Sequence, residues 1–504
     1  MIDLGIKAPM DFSKERSLTY LRAVAQLQFD ELTALKARVA QLEGKLGEAA
    51  GVFEDNAVLK ELLERREHAI FGPSSERRGR GSEGRKKGEG KPQTGHGPRE
   101  QPDLERVPVT HEIPEGERPC PCCGGDLEAL AGEVESSELV SIRERGFVIE
   151  VHERQKYRCR CNGAVVTAPG PLRVVKGGRY SPSFAIEVAI AKYADHLPLE
   201  RQVQIMRRDG LRIDTQTLWD QLDALAVHLS PTYEAIIAEI LSHPVIHADE
   251  TRWKLLANGK TKENKTFQAW GLVAPELVAY RILDSRGTDA AAAVLAGYKG
   301  IVMADAYTVY QSLAAESGAF VVANCWAHVR RKFIECENNF PDEAKPALAW
   351  IRELYRLERE ATDETRAALR ATKSRAVFES LMAWAEETRA GVLPRSGIGE
   401  ALGYLLNIRT GLARFLDNPL VPIDNNPCER ALRGVVLGRK NHYGSRSRRG
   451  TEVAAIIYTI METAKLAGIS PRDYLQAITE LAIRQPGAIL TPGSFKASLP
   501  PRPA

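Results

Sequence analysis

Positions 18, 21, 25, 28, 32, 35, 39, 42 and 46 form a ladder of alternating three- and four-residue steps, apolar throughout except Gln28, with charged residues between. Such a seam predicts a coiled coil within residues 15–70, where Gln28 sets register or partner number and the chain is expected to be a homo-oligomer. An amphipathic helix folded on its own chain has the same pattern. A second helix is read from about Asn56 to Ile70, and the periodicity then stops. Residues 77–106 are read as a disordered basic linker, because 77–99 carry eight Lys or Arg against Glu83 and Glu89 and almost nothing apolar.

Helical periodicity returns in 178–235, over Phe184–Ala194, Leu199–Arg208 and Asp214–Leu229, with Asp209-Gly210 as the break. This spacing is compatible with a helix-turn-helix whose last helix presents Thr215, Gln216 and Thr217, while Arg207, Arg208 and Arg212 grip phosphates. A plain helical connector explains it equally well. Short apolar runs follow at Val245–Asp249, Phe267–Val273 and Val278–Leu283, then a helix at Thr288–Leu295 and a strand at Ile301–Ala304. A meander followed by alternating helix and strand is the order of a ribonuclease-H-like α/β fold, placed here at 240–440. A charged helical insertion is expected at about 341–400, and a C-terminal helical domain at 441–485.

Chemistry enters through the ends of two of these runs. Val245-Ile-His-Ala-Asp249 and Gly300-Ile-Val-Met-Ala-Asp305 each finish on a carboxylate, and Asp424-Asn-Asn-Pro-Cys-Glu429 offers a third. Phosphodiester chemistry requires magnesium, or manganese, held by such oxygen ligands. Glu429 has a competing role. With Asn426 as N-cap and Pro427 as the first helical residue, it would complete a capping box. His328, Arg331 and Lys332 share a helical face suited to a scissile phosphate, although a lone His is as often structural. Residues 430–449 hold seven Lys or Arg and no acid, with His442 and Tyr443 interleaved, which makes Arg439, Lys440, Arg446, Arg448 and Arg449 candidate DNA contacts.

Net charge is only +3, so this distribution, and not the sum, points to nucleic acid. At 504 residues, about three to five domains are expected. Five of the eight cysteines lie between Cys120 and Cys161. Two close pairs favour a closed structural zinc site over disulfides, with Cys120, Cys123, Cys159 and Cys161 as ligands in a domain at 107–175. No basic stretch leads into a long apolar one, so a cytoplasmic, nucleoid-associated protein without membrane partners is expected.

The motifs Phe71-Gly-Pro-Ser-Ser-Glu76, the cysteine knuckles, Lys192-Tyr-Ala-Asp-His-Leu-Pro-Leu199, His247-Ala-Asp-Glu-Thr251, Cys325-Trp-Ala-His-Val-Arg-Arg-Lys-Phe333, Asn425-Asn-Pro-Cys-Glu429-Arg and Gly438-Arg-Lys-Asn441 together resemble the transposases of the insertion sequence 66 family. The likeness covers nearly the whole chain. It implies a leucine-zipper-like N-terminus, a zinc-binding domain and a DDE core with Asp249, Asp305 and Glu429 as catalytic acids. His328, Arg331 and Arg433 are their expected neighbours. Element ends and target DNA are the implied partners, along with accessory proteins of the same element. Ala306, where a glycine is common, and Cys428 beside the glutamate depart from the family pattern. A structure-specific nuclease of the same fold and a zinc/helix-turn-helix regulator are the alternative readings.

Overall fold

The computed structural model describes residues 26, 29–38, 146–158, 165–167, 169–256 and 265–499. The chain divides into two compact units, Met1–Glu67 with Gly146–Ala504, and His68–Arg145, and the second lies outside the described residues. So do Cys120, Cys123, Cys159 and Cys161, the basic linker and most of the zipper-like seam, of which 29–38 are helical.

Strands β1 (Lys156–Arg158) and β2 (Val165–Thr167) pair antiparallel. Three helices follow: α1 (Pro182–Tyr193), α2 (Leu199–Arg208) and α3 (Thr215–Ser242). Asp214 caps α3 by accepting the Thr217 amide at 2.7 Å. The sequence places the end of α3 at Leu229, yet the helix continues through Pro231 for three more turns. An interior proline removes one hydrogen bond, at about 3 kcal/mol. Burial of Tyr233, Ile236, Ile237 and Ile240 beyond it outweighs that loss. By length and composition α3 would also span a bilayer. Leu218, Leu222, Leu225, Leu229, Ile236 and Ile240 are packed in the core, while Val227 is exposed.

The central sheet is built from β3 (Val245–Leu255), β4 (Lys265–Ala274), β5 (Leu277–Leu283), β6 (Ile301–Ala304) and β7 (Val321–Asn324), in the order β5-β4-β3-β6-β7. The first three are antiparallel, whereas β6 and β7 run parallel to β3. Helix α4 (Thr288–Val294) precedes β6 and α5 (Thr308–Ser317) joins it to β7. β3 does not stop at Asp249 as its apolar run suggested. It continues to Leu255 in register with β4, because Trp253 is fully buried in the core.

Helix α6 (Trp326–Cys336) leaves β7 and opens a helical insertion: α7 (Pro341–Glu360), α8 (Arg366–Leu369), a π-helical segment at Arg370–Ser374, α9 (Arg375–Ala390), α10 (Gly397–Asn407) and α11 (Arg409–Asp417). These helices run on to Asp417, past the 400 expected from charge patterning. They form a second hydrophobic core around Trp326, Phe333, Ile351 and Phe415, seated on Met303 and Ala323 of the parallel strands.

The chain returns in α12 (Asn426–His442) and ends in α13 (Arg448–Leu466), α14 (Pro471–Arg484) and α15 (Pro492–Ser498). Helices α1, α3, α13 and α14 share one hydrophobic core with β3, β4 and β5. Helix α13 also seals the open edge of β5. Thr463 Oγ1 accepts the Val278 amide at 3.1 Å and donates to the Val278 carbonyl, while Thr459 Oγ1 accepts the Tyr280 amide at 2.9 Å. Both threonines are completely buried, so side-chain hydroxyls take the place of a sixth strand.

Candidate active site

The parallel register pairs His247 with Met303 and Ala304 with Asn324. Two steps past His247 comes Asp249, and one past Ala304 comes Asp305. Both aspartates therefore stand where β6 ends and its parallel pairing with β3 gives out. A crevice at the carboxyl ends of parallel strands is a preferred ligand position in open α/β sheets. Asp305 Oδ1 accepts the Tyr307 amide at 2.9 Å, and Asp249 Oδ1 accepts the Glu250 amide at 2.8 Å.

Helix α12 carries the third acid over the sheet. Gly271, opposite Asp249 in the β3–β4 ladder, lets it approach, since a Cβ there would stand 3.2 Å from Leu432 Cδ2 and 3.4 Å from Cys428 Sγ. The unusual Cys428 is accordingly a fully buried packing residue. The N-cap of α12 is Asn425, one residue earlier than the sequence suggested. Glu429 thus falls a residue too late for a capping box, and that expectation is corrected.

Asn425 is completely buried and spends its side chain elsewhere. It donates to the Ala248 carbonyl at 2.9 Å and pairs with His247 Nδ1 at 2.9 Å, while its own amide donates to Cys325 Sγ at 3.1 Å. One residue thereby ties β3, the end of β7 and the start of α12 together. Nothing local in the sequence signals this.

The resulting cleft, of about 440 Å³, is lined by Asp249, Glu250, Thr251, His328, Arg331, Glu429 and Arg433 among others. Burial and the neighbouring carboxylates of Glu250, Asp305 and Glu429 push Asp249 up to about 7. Glu250, also raised by burial, is held by Arg286 Nε at 2.7 Å and the Tyr310 hydroxyl at 2.9 Å. The Arg286 guanidinium lies 4.0 Å from the Tyr307 ring centre. Sequence reading passed over this network, although Glu250 adjoins Asp249.

His328 Nε2 is 3.7 Å from Glu429 Oε1, and Arg331 is 3.8 Å from Glu429 Oε2. Glu429 Oε1 and His328 Nδ1 are both buried without a hydrogen-bond partner among the described residues. Buried polar atoms are rarely left so. Carboxylate oxygens, one of them unsatisfied, are the donors that hard divalent cations take.

The candidate DNA contacts are distributed over several elements. Arg207, Arg208 and Arg212 are exposed around the α2–α3 turn, Thr215 and Gln216 begin α3, and Gln216 bonds Asp220. Lys440 is exposed. Arg446, Arg448 and Arg449 pair with Glu200, Asp284 and Asp223 respectively. Arg439, half-buried, donates to Thr251 and to the Arg252 carbonyl, bracing β3.

Residues 177–453 match the family model described as Transposase IS66 family, which spans more than half of the chain. This protein belongs to the IS66 transposase family. A second model, the zinc-finger binding domain of transposase IS66, matches residues 117–162 and contains all four candidate zinc cysteines. Among curated relatives, uncharacterized protein y4qI of Sinorhizobium fredii (strain NBRC 101917 / NGR234) is 34% identical over 415 residues, 78% of this chain and 76% of its own. Uncharacterized protein y4jD of the same strain is 32% identical, covering 72% and 74%. Membership makes this chain a transposase with a zinc-finger domain, a DNA-acting enzyme, and the matched segment includes Asp249, Asp305 and Glu429.

Proposed function

We propose that this IS66-family transposase binds the ends of a bacterial insertion sequence and catalyses strand cleavage and strand transfer at a two-metal site on Asp249, Asp305 and Glu429. The observation that carries the reading is the approach of acids from β3, β6 and α12: Asp249, raised to about 7 chiefly by burial and by Glu250, also feels the carboxylates of Asp305 and Glu429. The mixed sheet, antiparallel on one side and parallel on the other, supports a ribonuclease-H-like core. A regulator would leave this convergence without a task.

Magnesium or manganese, when bound there, activates the attacking oxygen and stabilises the leaving one. The chain's own residues supply the frame. Asn425 fixes the approach of α12, and Arg331, Arg433 and His328 face the cleft where a scissile phosphate would lie. Arg446, Arg448 and Arg449 sit in exposed or half-exposed ion pairs. Such pairs are worth about 0–1 kcal/mol, so backbone phosphates can take them over. Cys120, Cys123, Cys159 and Cys161 are assigned a structural zinc, and the 15–70 segment the homo-oligomer contact.

The test is cleavage and joining of a labelled element-end duplex in magnesium, comparing the natural protein with Glu429→Gln. Loss of both reactions by about a thousandfold or more, with the variant folded, is expected of a lost metal ligand. Retained activity would move the third acid to Asp424 or Glu400. Cleavage without joining by the natural protein would make it a nuclease.

A further inference from the structure

The register that aligns Asp249 with Asp305 places Cys325 in the same row, one step past Asn324 at the end of β7. Cys325 is 1% exposed and opens α6, and His328 follows within the first turn. The Cys325 sulfur, one His328 ring nitrogen and one Glu429 carboxylate oxygen all lie within 4.8 Å of one another. A tetrahedral zinc with bonds of about 2.0–2.3 Å holds its ligand atoms roughly 3.3–3.8 Å apart. The 3.7 Å between His328 Nε2 and Glu429 Oε1 already meets that spacing. The sulfur needs a shift of only about an ångström to join them.

The donors are chemically unlike the acid set beside them. Aspartate and glutamate alone suit magnesium, whereas sulfur, imidazole and one carboxylate select a borderline transition metal. Of the donors, Glu429 Oε1 has no hydrogen-bond partner among the described residues, with Arg331 against its other oxygen, Oε2, while Cys325 Sγ accepts only the Asn425 amide, at 3.1 Å, among the bonds described above.

We propose that Cys325, His328 and Glu429 form a three-ligand site for a transition metal of the zinc type, leaving the fourth position open. On binding, the ion replaces the Cys325 thiol proton, which passes to solvent. Because Glu429 belongs to both donor sets, a zinc-type ion here withdraws it from the catalytic acids and switches the enzyme off. That consequence rests on the two-metal reading above, but the site itself does not.

The test counts zinc per full-length chain after dialysis against Zn2+, for the natural protein and Cys325→Ser, and titrates Zn2+ into magnesium-supported strand cleavage by both. The finger zinc is common to the two proteins and cancels. The natural protein should hold one zinc more than the variant. The zinc concentration that halves cleavage should rise about tenfold or more in the variant, with cleavage in magnesium alone within about threefold. Equal zinc content overturns the site. One zinc fewer with unchanged inhibition overturns the switch. If the natural protein does not cleave at all, the assigned reaction fails while the zinc count still decides the site. Should Cys325→Ser not fold, Cys325→Ala takes its place, and equal zinc content or unchanged inhibition overturns the site or the switch in the same way.

Discussion

Two groups of charges, one buried and one half-buried, sit in this chain, and they are solved in opposite ways. In the insertion, Arg370 is 2% exposed and bonds both oxygens of Glu358, at 2.8 and 2.7 Å, and the carbonyls of Phe415, Asn418 and Val421. Every charge there has an opposite. At the cleft, Asp249 feels the carboxylates of Glu250, Asp305 and Glu429, and Glu429 Oε1 and His328 Nδ1 are left without a hydrogen bond among the described residues. The same chain that neutralises one buried ion leaves another cluster frustrated, and such local conflict is expected where function, not stability, sets the residues.

Removing one side of each arrangement breaks or sharpens this contrast. Arg370→Ala should be the most damaging, because it strands Glu358, with a loss of about 3–5 kcal/mol in denaturant unfolding. A loss below about 1 kcal/mol would show the pair to be dispensable. Asp249→Asn should have the opposite sign. With metals chelated at pH 8, it should stabilise the fold by about 1–3 kcal/mol, and in magnesium it should abolish strand cleavage.

The pH dependence of that gain follows from the carboxyl's position. Asp249 is raised from 3.8 to about 7 in the folded chain, so the native state binds this proton more tightly than the unfolded state does. Its stabilising contribution is complete below about 3.8 and is lost as pH rises through about 7. In chelator, the natural protein should therefore lose stability between these limits. Asp249→Asn should lack that component, and identical profiles would refute the assignment. The smallest effect belongs to His328→Gln, which breaks no hydrogen bond and should change stability by no more than about 0.5 kcal/mol. A larger loss would mean that His328 is a structural residue after all.

What could be read from sequence followed from local pattern. The apolar runs at Val245 and Ile301 gave both strands, and Leu199–Arg208 is helical over the stated range. What escaped lies in contacts between distant residues. Asn425 meets Ala248 and His247 across 177 and 178 positions, so no window of sequence contains the pair. The capping-box reading of Glu429 failed for the same reason, since the N-cap is decided by where α12 docks on the sheet. Pro231 and the continuation of β3 to Leu255 show tertiary burial overriding local signals. The four candidate zinc cysteines lie outside the described residues, and their spacing alone carries that expectation.

The hydroxyl cover on β5 also orders events in time. Val278 and Tyr280 wait for Thr463 and Thr459, which are 185 and 179 positions downstream. At about 5–20 residues per second, a ribosome needs roughly 10–40 s to make that stretch. For that interval the growing chain carries a sheet with one open border, a template for pairing with a neighbour. Synthesis thus passes through a sticky stage that ends only when α13 emerges, and a message cut short before codon 459 should yield aggregate instead of a partial enzyme.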